Sequence, residues 1–152
     1  MQIVDGRPYL DEVRELIVEY VTWFGRDMAF QGLDEELANI EAKYCPPAGQ
    51  LLAAVTDEGD VVGCIAYHAL DQQTAEMKRL YVKPAGRGHN LGERLSREIM
   101  RLAKQDGYTR MVLDTVEPLK SAIAIYRRLG FQEIEPYYHN PFDDVIYMGI
   151  DL

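Results

Sequence analysis

Residues 76–92 read EMKRLYVKPAGRGHNLG, and they contain the strongest structural signal in the sequence. Its first part is a β-rich run that ends at Lys83-Pro84, and its last part, residues 87–92, leads directly into an amphipathic helix. The first N–H groups of a helix lack partners within the helix, and the helix dipole places about half a positive charge there. A strand, a glycine-containing loop and a helix in this order therefore predict a pyrophosphate-binding site.

Two glycines shape this loop. Gly88 and Gly92 lack a Cβ that would block phosphate oxygens, and Arg87 and His89 can add charge-assisted hydrogen bonds. A turn at Gly88 and close helix packing at Gly92 would explain the same glycines without a ligand. The run contains no G-x-G-x-x-G and the chain no Gly-Lys-Ser/Thr, so the sequence lacks the dinucleotide-binding and P-loop motifs.

The charges are distributed unevenly along the chain. The net charge of −9 argues against a nucleic-acid partner, which requires a dominant basic surface. Residues 78–128 nevertheless hold 12 basic and 5 acidic side chains, whereas residues 1–77 hold 4 basic and 15 acidic ones. A basic block in an acidic chain indicates either one local anionic ligand or a solvated helix face. The acidic surroundings could attract a cationic amine.

The composition predicts one domain over residues 1–152. Apolar residues make up 47% of the chain, which is enough for a core. The sequence has no apolar run long enough for a membrane span, and its N-terminus lacks a signal-peptide pattern, so we expect a soluble, cytoplasmic protein without a membrane partner. Cys45 and Cys64 are interpreted as structural thiols. Dispersed histidines and the absence of HExxH give no support for a metal site.

Hydrophobic spacing predicts a mixed α/β order. A 3.6-residue period indicates helices over Pro8–Phe24, Leu33–Tyr44, Leu91–Lys104 and Leu119–Leu129. Runs of β-formers indicate strands over Leu51–Val55, Val61–His68, Thr74–Val82, Arg110–Thr115, Phe131–Ile134 and Val145–Asp151. We therefore expect one mixed sheet flanked by helices.

Two motifs resemble those of the GNAT acetyltransferases. The run Val82-x-Pro84-x-x-Arg87-Gly88-x-Asn90-Leu91-Gly92 is similar to motif A, whose core is Arg/Gln-x-x-Gly-x-Gly/Ala. Residues 122–131, AIAIYRRLGF, resemble motif B, in which a helix tyrosine precedes Leu-Gly-Phe and a strand. The close match covers residues 76–134. The resemblance implies a single mixed, mostly antiparallel sheet of six to seven strands flanked by about four helices.

The resemblance also implies acetyl-CoA as the acyl donor. Backbone groups of the strand should contact the pantetheine arm, and the loop should surround the pyrophosphate. The residues implied are Leu80, Tyr81, Val82, Arg87, Gly88, His89, Asn90, Leu91 and Gly92. Asn90 stands where the family usually has glycine, and asparagine is the other residue that readily adopts left-handed geometry. The asparagine often found before motif B is absent, since Leu119-Lys120 stands there.

Acyl transfer to an amine requires a base for the amine and an acid for the departing thiolate. The resemblance implies Tyr126 as the acid, and core packing is the other explanation for this tyrosine. Glu76 is the candidate base, because strand alternation would put it on one face with Lys78, Leu80 and Val82. A surface ion pair of Glu76, a water chain, His68 and His139 are the alternatives.

Two segments on opposing sides are expected to line the acceptor pocket. Tyr137 and Tyr138, with Phe142, lie after motif B, where family members place a loop over this pocket, and Phe30 and Gln31 follow the first helix. We expect the acceptor to be a primary amine of a small molecule, with a peptide amine as the alternative, and the family resemblance allows a homodimer. A CoA-binding sensor or interaction module without turnover is the competing function.

Overall fold

The computed structural model describes residues 1–27 and 32–152. Over these residues the chain forms seven β-strands and five α-helices. The strands are β1 (Gln2–Asp5), β2 (Gly49–Val55), β3 (Val61–Ala69), β4 (Thr74–Val82), β5 (Arg110–Val116), β6 (Gln132–Glu133) and β7 (Val145–Asp151). The helices are α1 (Leu10–Phe24), α2 (Leu33–Ala38), α3 (Ile40–Tyr44), α4 (Leu91–Gln105) and α5 (Lys120–Leu129). None of these helices is long and apolar enough to cross a membrane.

The strands form one sheet in the order β1-β2-β3-β4-β5-β7-β6. All neighbours are antiparallel except β4 and β5, which run parallel. The predicted mixed, mostly antiparallel sheet is confirmed. The single parallel pair lies in the middle of the sheet, and the loop and helix α4 connect its two strands.

Each face of the sheet has its own hydrophobic core. Helix α4 covers one face with Leu91, Leu95 and Ile99, which pack against strand residues that include Ile65 and Met77. Helices α1 and α3 cover the other face through the buried side chains Val13, Leu16, Ile17, Ile40 and Tyr44. This division follows from strand alternation, because successive side chains point to opposite faces.

Two predicted helices differ from their expected bounds. The first begins at Leu10, after a 3-10 turn at Arg7–Tyr9 that contains Pro8. The helix expected over Leu33–Tyr44 is interrupted at Asn39, which has φ −151° and ψ 74°. The Asn39 side chain accepts a hydrogen bond from the Ala42 amide and so starts α3 as its N-cap. Strand β1 was not predicted, because its four residues are too few to show a period.

A β-bulge interrupts β4 at Arg79. One residue separates Cys64 from Ala66 on β3, whereas two residues separate their β4 partners, Tyr81 and Lys78. Arg79 occupies the left-handed region with φ 62°. A bulge puts one extra residue into a strand and shifts the alternation of side chains beyond it.

The prediction that Glu76 lies on the same face of β4 as Leu80 and Val82 is wrong because of this bulge. Leu80 and Val82 pack on the α4 side of the sheet, as Met77 does. Glu76 and Lys78 instead line a cavity on the opposite face. The extra residue at Arg79 therefore separates the candidate base from the strand residues with which it was expected to align.

A buried ion pair holds the bulge in place. The Arg79 Nε and Nη2 atoms donate to the two Glu36 carboxylate oxygens at 2.7 and 2.9 Å. Lys43 Nζ lies 3.0 Å from Glu36 Oε1. Both side chains of the Arg79–Glu36 pair are almost completely buried. Helix α2 is thereby tied to the strand that borders the site.

Candidate active site

The central feature of the site is a gap between two parallel strands. Registered pairs join β4 and β5 only from Thr74–Arg110 to Glu76–Val112. Beyond Glu76 the strands part, and a cleft of about 680 Å³ opens between residues 77–82 and residues 113–116. The edge of β4 that faces the cleft therefore offers its backbone groups to a ligand, because β3 bonds only to the other edge.

The loop after β4 brings the start of α4 to the mouth of this cleft. Gly88 has φ 92°, and Asn90 is the N-cap of α4 with φ 54° and ψ 29°. The Asn90 side chain makes no capping hydrogen bond, so it leaves the first N–H groups of α4 available. The left-handed geometry expected of Asn90 is confirmed.

Gly92 serves helix packing in this structure. A Cβ built on Gly92 would lie 2.9 Å from Ile125 Cδ1 of α5. A Cβ on Gly88 would meet nothing within 4 Å, so the positive φ, not the space around it, favours glycine there. Glycine is thus favoured at position 92 by close packing and at position 88 by backbone conformation.

The structure brings most of the predicted coenzyme ligands to one cleft. Leu80, Tyr81 and Val82 line its strand wall. The loop and helix wall consists of Arg87, Gly88, Asn90, Leu91 and Gly92. His89 is exposed and does not line the cleft. Contact of each of these residues with a coenzyme stays a prediction.

Tyr126 lies at the inner end of the same cleft. It projects from α5, is 7% exposed and packs its ring 5.8 Å from that of Phe131. Burial raises the pKa of the Tyr126 phenol, and the nearby Tyr20 and Asp114 raise it further. The phenol therefore stays protonated over the whole physiological range, and its role as the acid stays a prediction.

Glu76 belongs to a hydrogen-bonded group on the opposite face. Its Oε1 lies 2.7 Å from His68 Nε2, and its Oε2 accepts a 2.5 Å hydrogen bond from the Tyr137 hydroxyl. His68 is directly opposite Glu76 in the β3–β4 register. The candidate base Glu76 is thus hydrogen-bonded to His68, which was an alternative base, and to Tyr137, which was predicted to line the acceptor pocket.

These contacts keep Glu76 ionised. Burial alone would raise its pKa, but the hydrogen bond with His68, the charge of Lys78 and the hydrogen bond from Tyr137 lower it to about 2. A carboxylate with so low a pKa is a weak base by itself, although it orients and stabilises a neighbouring group that receives a proton.

A second cavity of about 790 Å³ contains this group. Its lining includes Glu76, His68 and the two tyrosines Tyr137 and Tyr138. Lys78 lines both this cavity and the cleft, and no other described residue lines both. Lys78, whose Nζ lies 4.0 Å from Glu76 Oε1, is thus the residue that borders both spaces.

The loop before β7 is held over the site by two sets of contacts. The Tyr138 hydroxyl donates to Asp114 Oδ2 at 2.6 Å, and Asn140 Nδ2 lies 3.3 Å from the same oxygen. Arg26, after α1, donates to both carboxylate oxygens of Asp144 at 2.6 and 2.7 Å. The Arg26 guanidinium also lies 5.0 Å from the centre of the Phe142 ring.

Some predicted site residues lie elsewhere. His139 is exposed and lines neither cavity. Phe142 lines the cleft rather than the second cavity. Phe30 and Gln31 lie outside the described residues, so their predicted role stays a prediction.

Sequence reasoning missed Lys78, Asp114 and the Arg26–Asp144 pair. Lys78 lies on the strand that leads into motif A, so a basic residue in a run rich in β-formers was an available signal. Arg26 and Asp144 are 118 residues apart, and nothing in their local sequence links them.

A mostly antiparallel sheet that parts at one parallel pair, with an uncapped helix start at the opening, defines the N-acetyltransferase class. The profile of the Acetyltransferase (GNAT) family matches residues 12–131. The chain belongs to this family, and the predicted family and enzyme class are confirmed.

Known proteins resemble the chain along most of its length. An uncharacterized N-acetyltransferase of Schizosaccharomyces pombe is 44% identical over 144 residues, which are 94% of this chain and 88% of the relative. An acetyltransferase structure from Streptococcus agalactiae is 29% identical with a TM-score of 0.80 and covers 99% of this chain and 98% of its own. A GNAT structure from Elizabethkingia anophelis with acetyl-CoA bound has 20% identity, a TM-score of 0.60, and coverage of 75% and 82%.

Proposed function

We propose that this N-acetyltransferase transfers the acetyl group of acetyl-CoA directly to a primary amine of a small molecule. The coenzyme occupies the cleft between β4 and β5, and the amine enters through the second cavity. The observation that carries this proposal is that Lys78 borders both spaces. A donor and an acceptor in the two cavities would come into contact there.

The residues of the cleft fit the coenzyme. The free edge of β4 can pair with the amide groups of a pantetheine arm, and the uncapped start of α4 suits a pyrophosphate. Exposed Arg87 adds a positive charge at that end. The Elizabethkingia anophelis structure supports this assignment, because it has the same fold and contains acetyl-CoA. The bound thioester supplies an activated acyl group.

Proton removal from the amine is assigned to Glu76 together with His68. Glu76 supplies the negative charge, and its bond to His68 Nε2 orients the imidazole. When Nε2 carries the proton donated to Glu76, Nδ1 is left as an acceptor, and an imidazole is suited to proton transfer near neutral pH. Glu76 therefore acts as the base through its hydrogen-bonded neighbour.

Two groups at the inner end of the cleft complete the reaction. Tyr126 donates its phenolic proton to the departing thiolate. Burial lowers the pKa of Lys78, whereas the neighbouring Glu76 carboxylate favours its ammonium form. The positive charge of that form stabilises the oxyanion that arises as the amine nitrogen attacks the thioester carbon.

Thiol release tests the proposal. Wild-type protein is incubated with acetyl-CoA and a panel of primary amines, and free thiol is measured together with the mass of the acetylated product. We expect amine-dependent release that Glu76→Gln lowers by about a hundredfold. Coenzyme binding without thiol release for any amine would contradict the proposal and favour the sensor function. Glu133→Gln, a change of an exposed glutamate on β6, is the matched control.

A further inference from the structure

The second cavity has an unusual charge balance for this protein. The chain carries a net charge of −9, yet the cavity is lined by three cationic and three anionic side chains. The cations are Lys43, Lys78 and Arg110, and the anions are Asp71, Glu76 and Glu135. Complementary charges across a binding surface favour a partner that itself carries both signs.

Four of these six groups already interact within the protein, and one of them is Lys78, which lies 4.0 Å from Glu76 Oε1. Lys43 forms an ion pair with Glu36 at 3.0 Å. Asp71 Oδ1 accepts hydrogen bonds from the backbone amides of Gln73 and Thr74 at 2.8 and 2.7 Å. Both oxygens of Glu76 accept hydrogen bonds from side chains. Their charges are therefore partly neutralised before any ligand binds.

Arg110 differs from them. Within residues 1–27 and 32–152, its guanidinium has no ion pair and no hydrogen bond. Its Nη2 atom lies 3.4 Å from the position that a Cβ on Gly149 would take, so the missing side chain at Gly149 leaves room for the guanidinium against the sheet. Arg110 is exposed and lines the second cavity, and the planar fork of N–H donors on its guanidinium is suited to a carboxylate.

The positions of Arg110 and Lys78 set the length of the ligand. Arg110 is paired with Thr74, which is four residues before Lys78 on β4. At about 3.3 Å per residue, the two backbone positions are about 13 Å apart. A ligand that reaches from one side chain to the other must therefore be elongated.

We propose that the acceptor is an amino carboxylate, whose carboxylate binds Arg110 while its amine lies beside Lys78 and Glu76. This inference rests on the proposed function and names the substrate class of that site. The amine nitrogen attacks the thioester carbon, the C–S bond breaks, and the thiolate takes the proton of Tyr126. The proton lost by the amine leaves through His68 and Glu76. The product keeps the carboxylate but has lost its positive charge, which weakens its attraction to the acidic side chains of the cavity.

Matched pairs of amines test the inference. Glycine, β-alanine, 4-aminobutyrate and 6-aminohexanoate are compared with alkylamines of the same chain length by kcat/KM. The wild type should prefer the longer amino carboxylates over their alkylamines by about tenfold, and Arg110→Gln should remove this preference. Arg101→Gln, which makes the same charge change on the exposed side of α4, should retain it.

The outcomes separate the inference from the proposed function. Equal turnover of both series by the wild type, or an unchanged preference in Arg110→Gln, would overturn the inference while leaving the transferase proposal intact. If no amine is acetylated, the proposed function fails. In that case, calorimetry measures the binding of 6-aminohexanoate and hexylamine to the protein with CoA. The inference requires tighter binding of 6-aminohexanoate by the wild type and loss of this preference in Arg110→Gln. Equal binding of the two compounds by the wild type would overturn it.

Discussion

Among single residues, Asn90 has a large part in determining the geometry of the loop between β4 and α4. It has φ 54° and ψ 29° at the start of α4, a left-handed geometry that glycine adopts freely, that asparagine tolerates and that strains most other residues. The side chain itself makes no capping hydrogen bond there. Its contribution is therefore conformational, and substitutions that change only the backbone preference should reveal it.

We expect Asn90→Gly to leave the KM for acetyl-CoA within about twofold of wild type, because glycine adopts the same geometry without strain. Asn90→Val should raise that KM by about tenfold, since a β-branched residue at positive φ costs about 1–2 kcal/mol and displaces the loop. Steady-state kinetics with varied acetyl-CoA measure both. Equal KM values for the two variants would contradict a conformational role.

Tyr126 is the residue for which chemistry and packing must be distinguished. Tyr126→Phe keeps the ring that packs beside Phe131 and removes only the hydroxyl. If the phenol protonates the thiolate, kcat should fall by about a hundredfold while the thermal midpoint changes little. Rates measured from pH 6 to pH 10 check this result. Unchanged turnover over that range would leave Tyr126 as a packing residue.

At the scale of secondary-structure elements, the bulge in β4 depends on a buried charge. The Arg79–Glu36 pair links β4 to α2, and both side chains are almost completely buried. Removing one member of such a pair leaves an uncompensated charge in a region of low dielectric, whereas replacing both by apolar residues of similar volume is often tolerated.

We therefore expect Arg79→Met to lower the free energy of unfolding by about 3–5 kcal/mol. The double variant Arg79→Met with Glu36→Met should recover most of that loss. Urea unfolding of the wild type, the two single variants and the double variant gives the coupling energy. A double variant as unstable as the sum of the single variants would show that the pair is not coupled.

The elements that sequence predicts are those with local signals. The apolar stripe of α4, the loop before it and motif B each depend on about ten neighbouring residues. The position of the cleft could therefore be predicted from them. The bulge at Arg79 was missed because its cause, Glu36, is 43 residues away. The break at Asn39 was missed because the apolar period continues across it. The His68–Glu76–Tyr137 group depends on strand register and loop placement, which no spacing in the sequence specifies.

At the scale of the whole molecule, two buried carboxylates link stability to pH. Burial alone would raise the pKa of Glu36, but the hydrogen bond and charge of Arg79 lower it to about 2. Glu76 likewise has a pKa of about 2. Both values lie below the ordinary glutamate value of about 4.3, so the unfolded chain binds more protons than the folded one between these limits.

The stabilisation from both carboxylates is therefore complete above about pH 4.5 and is lost as the pH falls toward about 2, by about 3 kcal/mol for each group. Urea unfolding at a series of pH values measures it. Glu36→Gln should be less stable than wild type at pH 7 but lose less stability on acidification. An identical pH slope for the two proteins would contradict the assignment of this effect to Glu36.

The parting of β4 from β5 also has a kinetic consequence for the proposed reaction. Donor and acceptor are assigned to two different cavities, so we expect neither substrate to block the binding of the other. Initial-rate plots should then give intersecting lines, with CoA competitive against acetyl-CoA but not against the amine. Parallel lines would instead indicate an acetylated enzyme. If the reaction follows this scheme, the division of one sheet lets the product amide leave while the spent coenzyme is still bound.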